Sequence, residues 1–90
     1  MSTRYEVLFS SKCEKQLERL PKRELLVLKR LVDNIMANGP VQHLFMNYGK
    51  LGRNSYHCHL SYRWCACWRN ENGSVIVEVY YVGTRENAPY

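Results

Sequence analysis

Pro21 stands between two stretches of helical periodicity and forbids their fusion into one rod. Before it, Cys13, Leu17 and Leu20 recur at helical spacing. After it, Leu25, Leu28, Leu31, Val32, Ile35 and Met36 form a broad apolar stripe. Proline lacks an amide donor and clashes with the preceding turn, so it ends the first helix. It is also suited to open the second, because its fixed φ matches a first helical turn. Ser11 followed by Glu14 reads as a capping box at the start of the first helix. Asn38-Gly39-Pro40 reads as a stop for the second. The chain must therefore contain a helical hairpin with almost no linker.

Strand-like sequence lies on both sides of the hairpin. Over residues 4–9, Tyr5, Val7 and Phe9 alternate with Arg4, Glu6 and Leu8. From 41 to 54 periodicity is lost, and Gly49, Gly52 and Asn54 mark a loop carrying Lys50 and Arg53. A strand is expected from Ser55 through Leu60, a tight turn near Ser61-Tyr62, and a second strand over Trp64–Trp68. Asn70-Glu71-Asn72-Gly73 is a hairpin turn into a third strand, Val75–Val82. Gly83 ends that strand, and residues 84–90 form a short tail. Helices followed by a run of strands, rather than strict alternation, predict an α+β fold. The expected architecture is a strand, a helical hairpin and a three-strand meander, forming one antiparallel sheet packed on two helices.

At 90 residues the chain is sized for a single domain spanning 1–90. Hydrophobic residues make up 46% and charged residues 23%, which excludes a disordered or low-complexity chain. No apolar run approaches the roughly 18 residues of a membrane span. The opening MSTRYEVLFSS lacks a signal peptide's apolar core, so a cytoplasmic protein without a membrane partner is expected. In that setting the four cysteines read as reduced thiols, and Cys58, Cys65 and Cys67, inside strand-like sequence, as small buried apolar residues. Thirteen Lys and Arg against eight Asp and Glu leave a formal charge of +5, which favours an anionic partner.

His57-Cys58-His59 carries the sharpest chemical signal. Alternate strand residues share a face about 6.5–7 Å apart, so two imidazoles would stand side by side. Histidine's pKa near neutrality suits it to give and take protons, and two could flank one phosphate. One would take the proton of a ribose 2′-hydroxyl while the other protonates the departing 5′-oxygen, with no metal and no cofactor. A zinc site is the alternative, since Cys65 and Cys67 add the remaining ligand types. If Leu60 faces Arg63, the cysteines fall on the face opposite the histidines; shifted by one, all four share a face. This spacing is not a common structural zinc pattern, and no metal is expected. Arg85, just past a strand end, could stabilise charge building on a phosphorane-like transition state. Lys50, Arg53, Arg63 and Arg69 interleave with Tyr56, Tyr62, Trp64 and Trp68, as in RNA grooves, although Trp64 and Trp68 also suit a core. No P-loop, dinucleotide, zinc-protease or serine-hydrolase signature is present.

Several segments together resemble RelE-type toxins of bacterial toxin–antitoxin systems, within the RelE/ParE superfamily. YEVLFSSKCEKQLERLPK is similar to the family's first strand and helix, and Tyr48-Gly49-Lys50-Leu51 to its basic loop. Tyr56-His57-Cys58-His59-Leu60 resembles the segment where many RelE toxins alternate basic residues. The run EVYYVGTRENAPY is the most specific, resembling a subgroup with Val-Gly-x-Arg/His-Glu and Ala-Pro-Tyr. The resemblance implies an endoribonuclease that cuts messenger RNA in the ribosomal A site, and a cognate antitoxin that covers its basic cleft. It implies catalytic roles for His57, His59, Arg85 and Tyr90, with Tyr90 able to stack on a base. It implies RNA-binding roles for Lys50, Arg53 and Arg63, and no small-molecule substrate. His57 and His59 stand where RelE carries lysines, which exchanges fixed charge for groups that shuttle protons at neutral pH. A ParE-like inhibitor of DNA gyrase on the same fold, or a non-catalytic nucleic-acid-binding module, are the alternatives.

Overall fold

A computed structural model describes residues 4–90. Strand β1 (Glu6–Phe9) leads into helices α1 (Ser11–Leu17) and α2 (Lys22–Asn38). Strands β2 (Gly49–Lys50), β3 (Ser55–His59), β4 (Trp64–Asn70) and β5 (Ile76–Thr84) follow, then one 3₁₀ turn, Arg85–Asn87. The α+β class and the order of helices and strands are those expected from the sequence.

Three details differ. The sheet is mixed, not wholly antiparallel: its order is β1-β5-β4-β3-β2, and β1 runs parallel to β5 with Val7 opposite Val77. Alternation along residues 4–9 looks the same for either strand direction, so the sequence carries no sign of it. A short strand, β2, appears within the segment read as loop, with Gly49 opposite His57 and Lys50 opposite Tyr56. Finally, Ser10 rather than Ser11 caps α1, its hydroxyl accepting from the Cys13 amide at 3.1 Å.

The hairpin of helices covers one face of the sheet. Leu28, Leu31 and Ile35 of α2 meet Tyr56, Cys58, Ala66, Trp68, Val77, Val79 and Val82 in the main core. Trp68 is fully buried, as its aromatic character suggested. Its indole N–H would be costly to leave unpaired, and it donates to the Pro40 carbonyl at 2.9 Å. That bond ties the end of the helical hairpin to the middle of the sheet. Trp64 only packs against the edge of this core. A bulge opposite Cys67 and Trp68 inserts one residue into β5, so Tyr80 and Tyr81 both join a second cluster on the other face. Gln16 of α1 accepts the Val82 amide at 3.0 Å, fastening α1 to β5 beside the bulge.

All four cysteines are free and buried. Burial pushes the thiols of Cys13 and Cys58 up to about 12, which makes them unreactive core residues. No helix among the described residues is long and apolar enough to cross a membrane.

Gly39 closes α2 with φ +94°, and a Cβ there would stand 3.0 Å from the Tyr5 ring. Gly52 has nothing within 4 Å of such an atom. Gly39→Ala should therefore cost about 1–3 kcal/mol in urea denaturation. Gly52→Ala should stay within about 0.5 kcal/mol of wild type. Equal stability of the two variants would contradict this account of the helix stop.

Candidate active site

The pleat of β3 and β4 sorts their side chains. Tyr56, Cys58, Ala66 and Trp68 point to the helices, which leaves His57, His59, Cys65 and Cys67 on the open face. The Leu60 amide bonds to the Trp64 carbonyl at 2.7 Å, so three residues, 61–63, make the turn. In this register His59 opposes Cys65 and His57 opposes Cys67. It is the shifted alternative, the one that gathers all four side chains. Even so, among the described residues no group of three or more is arranged to hold a metal ion.

The tail crosses this face. Tyr90 lies over His57 with ring centroids 4.7 Å apart, and the two histidine rings are 6.3 Å apart. Gly49, paired with His57 across β2 and β3, lies against the ring, and a Cβ there would meet Nε2 at 3.1 Å. Its Nδ1 is buried without a hydrogen-bond partner. His59 is more open, and its Nδ1 lies 3.1 Å from the amide nitrogen of Asn47.

Both imidazoles are held below their ordinary pKa of 6.5. Burial is the larger cause for His57, with His59 adding repulsion; burial again leads for His59, with Arg85 adding to it. Arg85 is therefore electrostatically coupled to His59. Its guanidinium stacks 5.0 Å from the Tyr62 ring, and its amide bonds to the Arg63 carbonyl at 2.9 Å. Across the strand pair from the histidines, Cys65 has the Cys67 thiol and the Tyr90 hydroxyl as neighbours. Hydrogen bonding from Cys67 first, and from Tyr90, lowers the Cys65 thiol against the opposing effect of burial. Tyr90 and Cys67 are correspondingly shifted upward.

The structure thus brings together His57, His59, Arg85 and Tyr90. The proposed RNA-binding residues are placed differently. Arg63 lies exposed in the β3–β4 turn beside the Arg85 backbone. Lys50 opposes Tyr56 and its ammonium sits 5.7 Å from that ring, on the side of the sheet away from the histidines. Arg53 is exposed in the loop between β2 and β3. Arg69 shares the open face at its other end, stacked 4.1 Å from Tyr80 and paired with Glu78 at 3.2 Å. Asn47 was not singled out by sequence, and Cys65 and Cys67 were weighed there only as ligands of the zinc alternative. A loop asparagine has no periodicity to mark it.

No protein-family model and no curated protein matches the sequence. Solved structures do match in fold. RelE in the RelE–RelB complex of Pyrococcus horikoshii gives a TM-score of 0.72 at 15% identity, covering 93% of this chain and 98% of that one. YafQ in the Escherichia coli DinJ–YafQ complex gives 0.73 at 16%, covering 92% and 94%. A variant of E. coli toxin RelE in the free state gives 0.71 at 19%, covering 92% and 85%.

The lowered histidines make a measurable expectation. In an NMR titration, His57 and His59 should both protonate below pH 6.5. The unfolded chain then binds more protons than the folded one in that window, so stability should fall as pH drops below about 6.5. Tyr90→Ala, by uncovering the ring, should return the His57 midpoint toward 6.5. A His57 midpoint indifferent to Tyr90 would refute its burial beneath that side chain. In its order of strands and helices, and over nearly its whole length, the chain has the fold of the RelE-type toxins.

Proposed function

We propose that this protein is the toxin of a type II toxin–antitoxin pair and acts as a metal-independent endoribonuclease on messenger RNA. The observation that carries the reading is the pairing of His57 and His59 on one open sheet face, beside Arg85. Two imidazoles 6.3 Å apart can flank a single phosphodiester. One takes the proton of the 2′-hydroxyl, whose oxygen bonds to phosphorus as the P–O5′ bond breaks. The other donates an N–H hydrogen bond to the departing oxygen, which takes its proton from water, leaving a 2′,3′-cyclic phosphate. Their lowered pKa values keep both imidazoles mostly neutral at pH 7, the state a proton acceptor requires. Arg85, charged at every relevant pH, offsets the negative charge that builds on the phosphoryl oxygens.

Tyr90 covers His57 in the free protein and shifts when RNA enters, its ring then available to stack on a base. Arg63 at the turn and Arg69 at the far end of the face contact the backbone of the RNA. The ribosomal A site presents the message, and a cognate antitoxin covers the face in the cytoplasm. The fold's solved relatives include RelE and YafQ in complexes with RelB and DinJ, which supports the antitoxin reading. A related fold is also described as a YoeB/ParE toxin, so gyrase inhibition is the reading to test against.

Mapping of RNA 5′ ends in a translating extract decides between them. Wild-type protein should cut within codons. His57→Ala and His59→Ala should each lower the rate about 10²–10⁴-fold. Arg85→Ala should lower it about 10²–10³-fold. Lys50→Ala, on the other side of the sheet, should change it less than about threefold. Intact messages together with blocked gyrase supercoiling would replace the nuclease with the gyrase inhibitor.

A further inference from the structure

We propose that Asn47 is a positioning residue of this site: its side-chain amide holds His59 in the tautomer that carries its proton on Nε2. His59 then meets a phosphate as an N–H donor, and proton abstraction falls to His57. The assignment of roles rests on the nuclease reading; the tautomer does not.

The geometry is specific. Asn47 Nδ2 lies 3.1 Å from His59 Nδ1, a side-chain bond between residues twelve apart in sequence. The neighbouring Met46 carbonyl accepts the His59 backbone amide at 2.7 Å, so the same loop grips both the main chain and the ring of one residue. Asn47 has φ +52°, the one non-glycine residue with positive φ among the described residues. Asparagine tolerates that conformation better than most side chains, yet it still carries a cost that its surroundings must offset. A residue placed there whose amide reaches an imidazole does something that a glycine could not.

A neutral imidazole has one donor and one acceptor nitrogen. With the amide N–H directed at Nδ1, that nitrogen must be the acceptor, and Nε2 carries the hydrogen. Protonating Nδ1 would set two N–H groups against each other, so the amide also disfavours the imidazolium. A neutral imidazole that donates to a developing oxyanion is an established catalytic device. The other ionisable groups around the ring are His57 on β3, Cys65 opposite on β4 and Arg85 from the tail. Arg30 and His43 line a cavity of about 640 Å³ between α2 and the 41–46 loop that His59 also lines. Among the described residues none of these is bonded to Nδ1, so the Asn47 amide sets which nitrogen bears the proton.

Long-range ¹⁵N–¹H NMR of the intact protein without RNA tests the tautomer. Above pH 7, His59 should show an unprotonated, hydrogen-bonded Nδ1 and a protonated Nε2. Asn47→Gly removes the amide while accepting the positive φ, and should give a mixture of tautomers. Asn47→Asp should reverse the tautomer, because a carboxylate accepts from Nδ1–H. It should also raise the His59 midpoint by about one unit or more. In RNA cleavage, Asn47→Gly should lower kcat about 10–100-fold with KM within about twofold, as outer-shell partners of catalytic groups do. A wild-type proton on Nδ1, or nitrogen shifts unchanged in Asn47→Gly, would overturn the assignment whatever happens to cleavage. The expected nitrogen pattern in a protein that cuts no RNA would uphold Asn47 and remove the nuclease reading instead.

Discussion

The register between β3 and β4 governs both halves of this molecule. With three residues in the turn, Tyr56, Cys58, Ala66 and Trp68 face the helices. The same register puts two histidines and two cysteines opposite one another on the other side. A slip of one residue would bury an imidazole in the core and expose an aromatic or a thiol. Trp68 makes that slip expensive, since its indole must give up both full burial and its bond to Pro40. Core packing and site assembly are therefore set by one choice of pairing.

The site draws its electrostatic character from being covered. His57 and His59 share a face with Arg85 in a chain of net charge +5, and each is partly withdrawn from water. All of these conditions disfavour a second positive charge, so both rings remain neutral where an unperturbed histidine would begin to protonate. Cys65 experiences the reverse. Hydrogen bonding from Cys67 and Tyr90 lowers its thiol, although the residue is fully buried. The open face thus combines two histidines held below their ordinary range with one lowered thiol, under a tail whose Tyr90 lies over His57.

Much of this was legible in the sequence. The leucine stripe, Pro21 and Gly39 mark the helical hairpin, and the alternation in 55–60, 64–68 and 75–82 marks the meander. The HxH spacing places His57 and His59 on a common face without any knowledge of the partner strand. What escaped the sequence depends on long-range geometry. The direction of β1 leaves no local trace. Ser61-Tyr62-Arg63 is compatible with a two- or a three-residue turn, so whether Cys65 joins the histidines could not be read. Lys50 looks like a cleft residue until its pairing with Tyr56 assigns it to the opposite side. Asn47 is anonymous in its loop, and only its contact with His59 gives it meaning.

The place of β5 in the sheet bears on how the molecule is made. It comes fourth after the helices' partner strand β1 in chain order, yet it sits between β1 and β4. Until residues 76–84 are available, β1 has no neighbour to pair with and the helical hairpin has only part of a surface to cover. Long-range pairings of this kind delay folding, because loop closure precedes the reward. Arg85 and Tyr90 lie beyond β5, so a chain still being synthesised holds His57 and His59 before it holds the groups that surround them. Such an intermediate lacks the finished face, and vectorial synthesis itself separates the making of the two histidines from the assembly of their site.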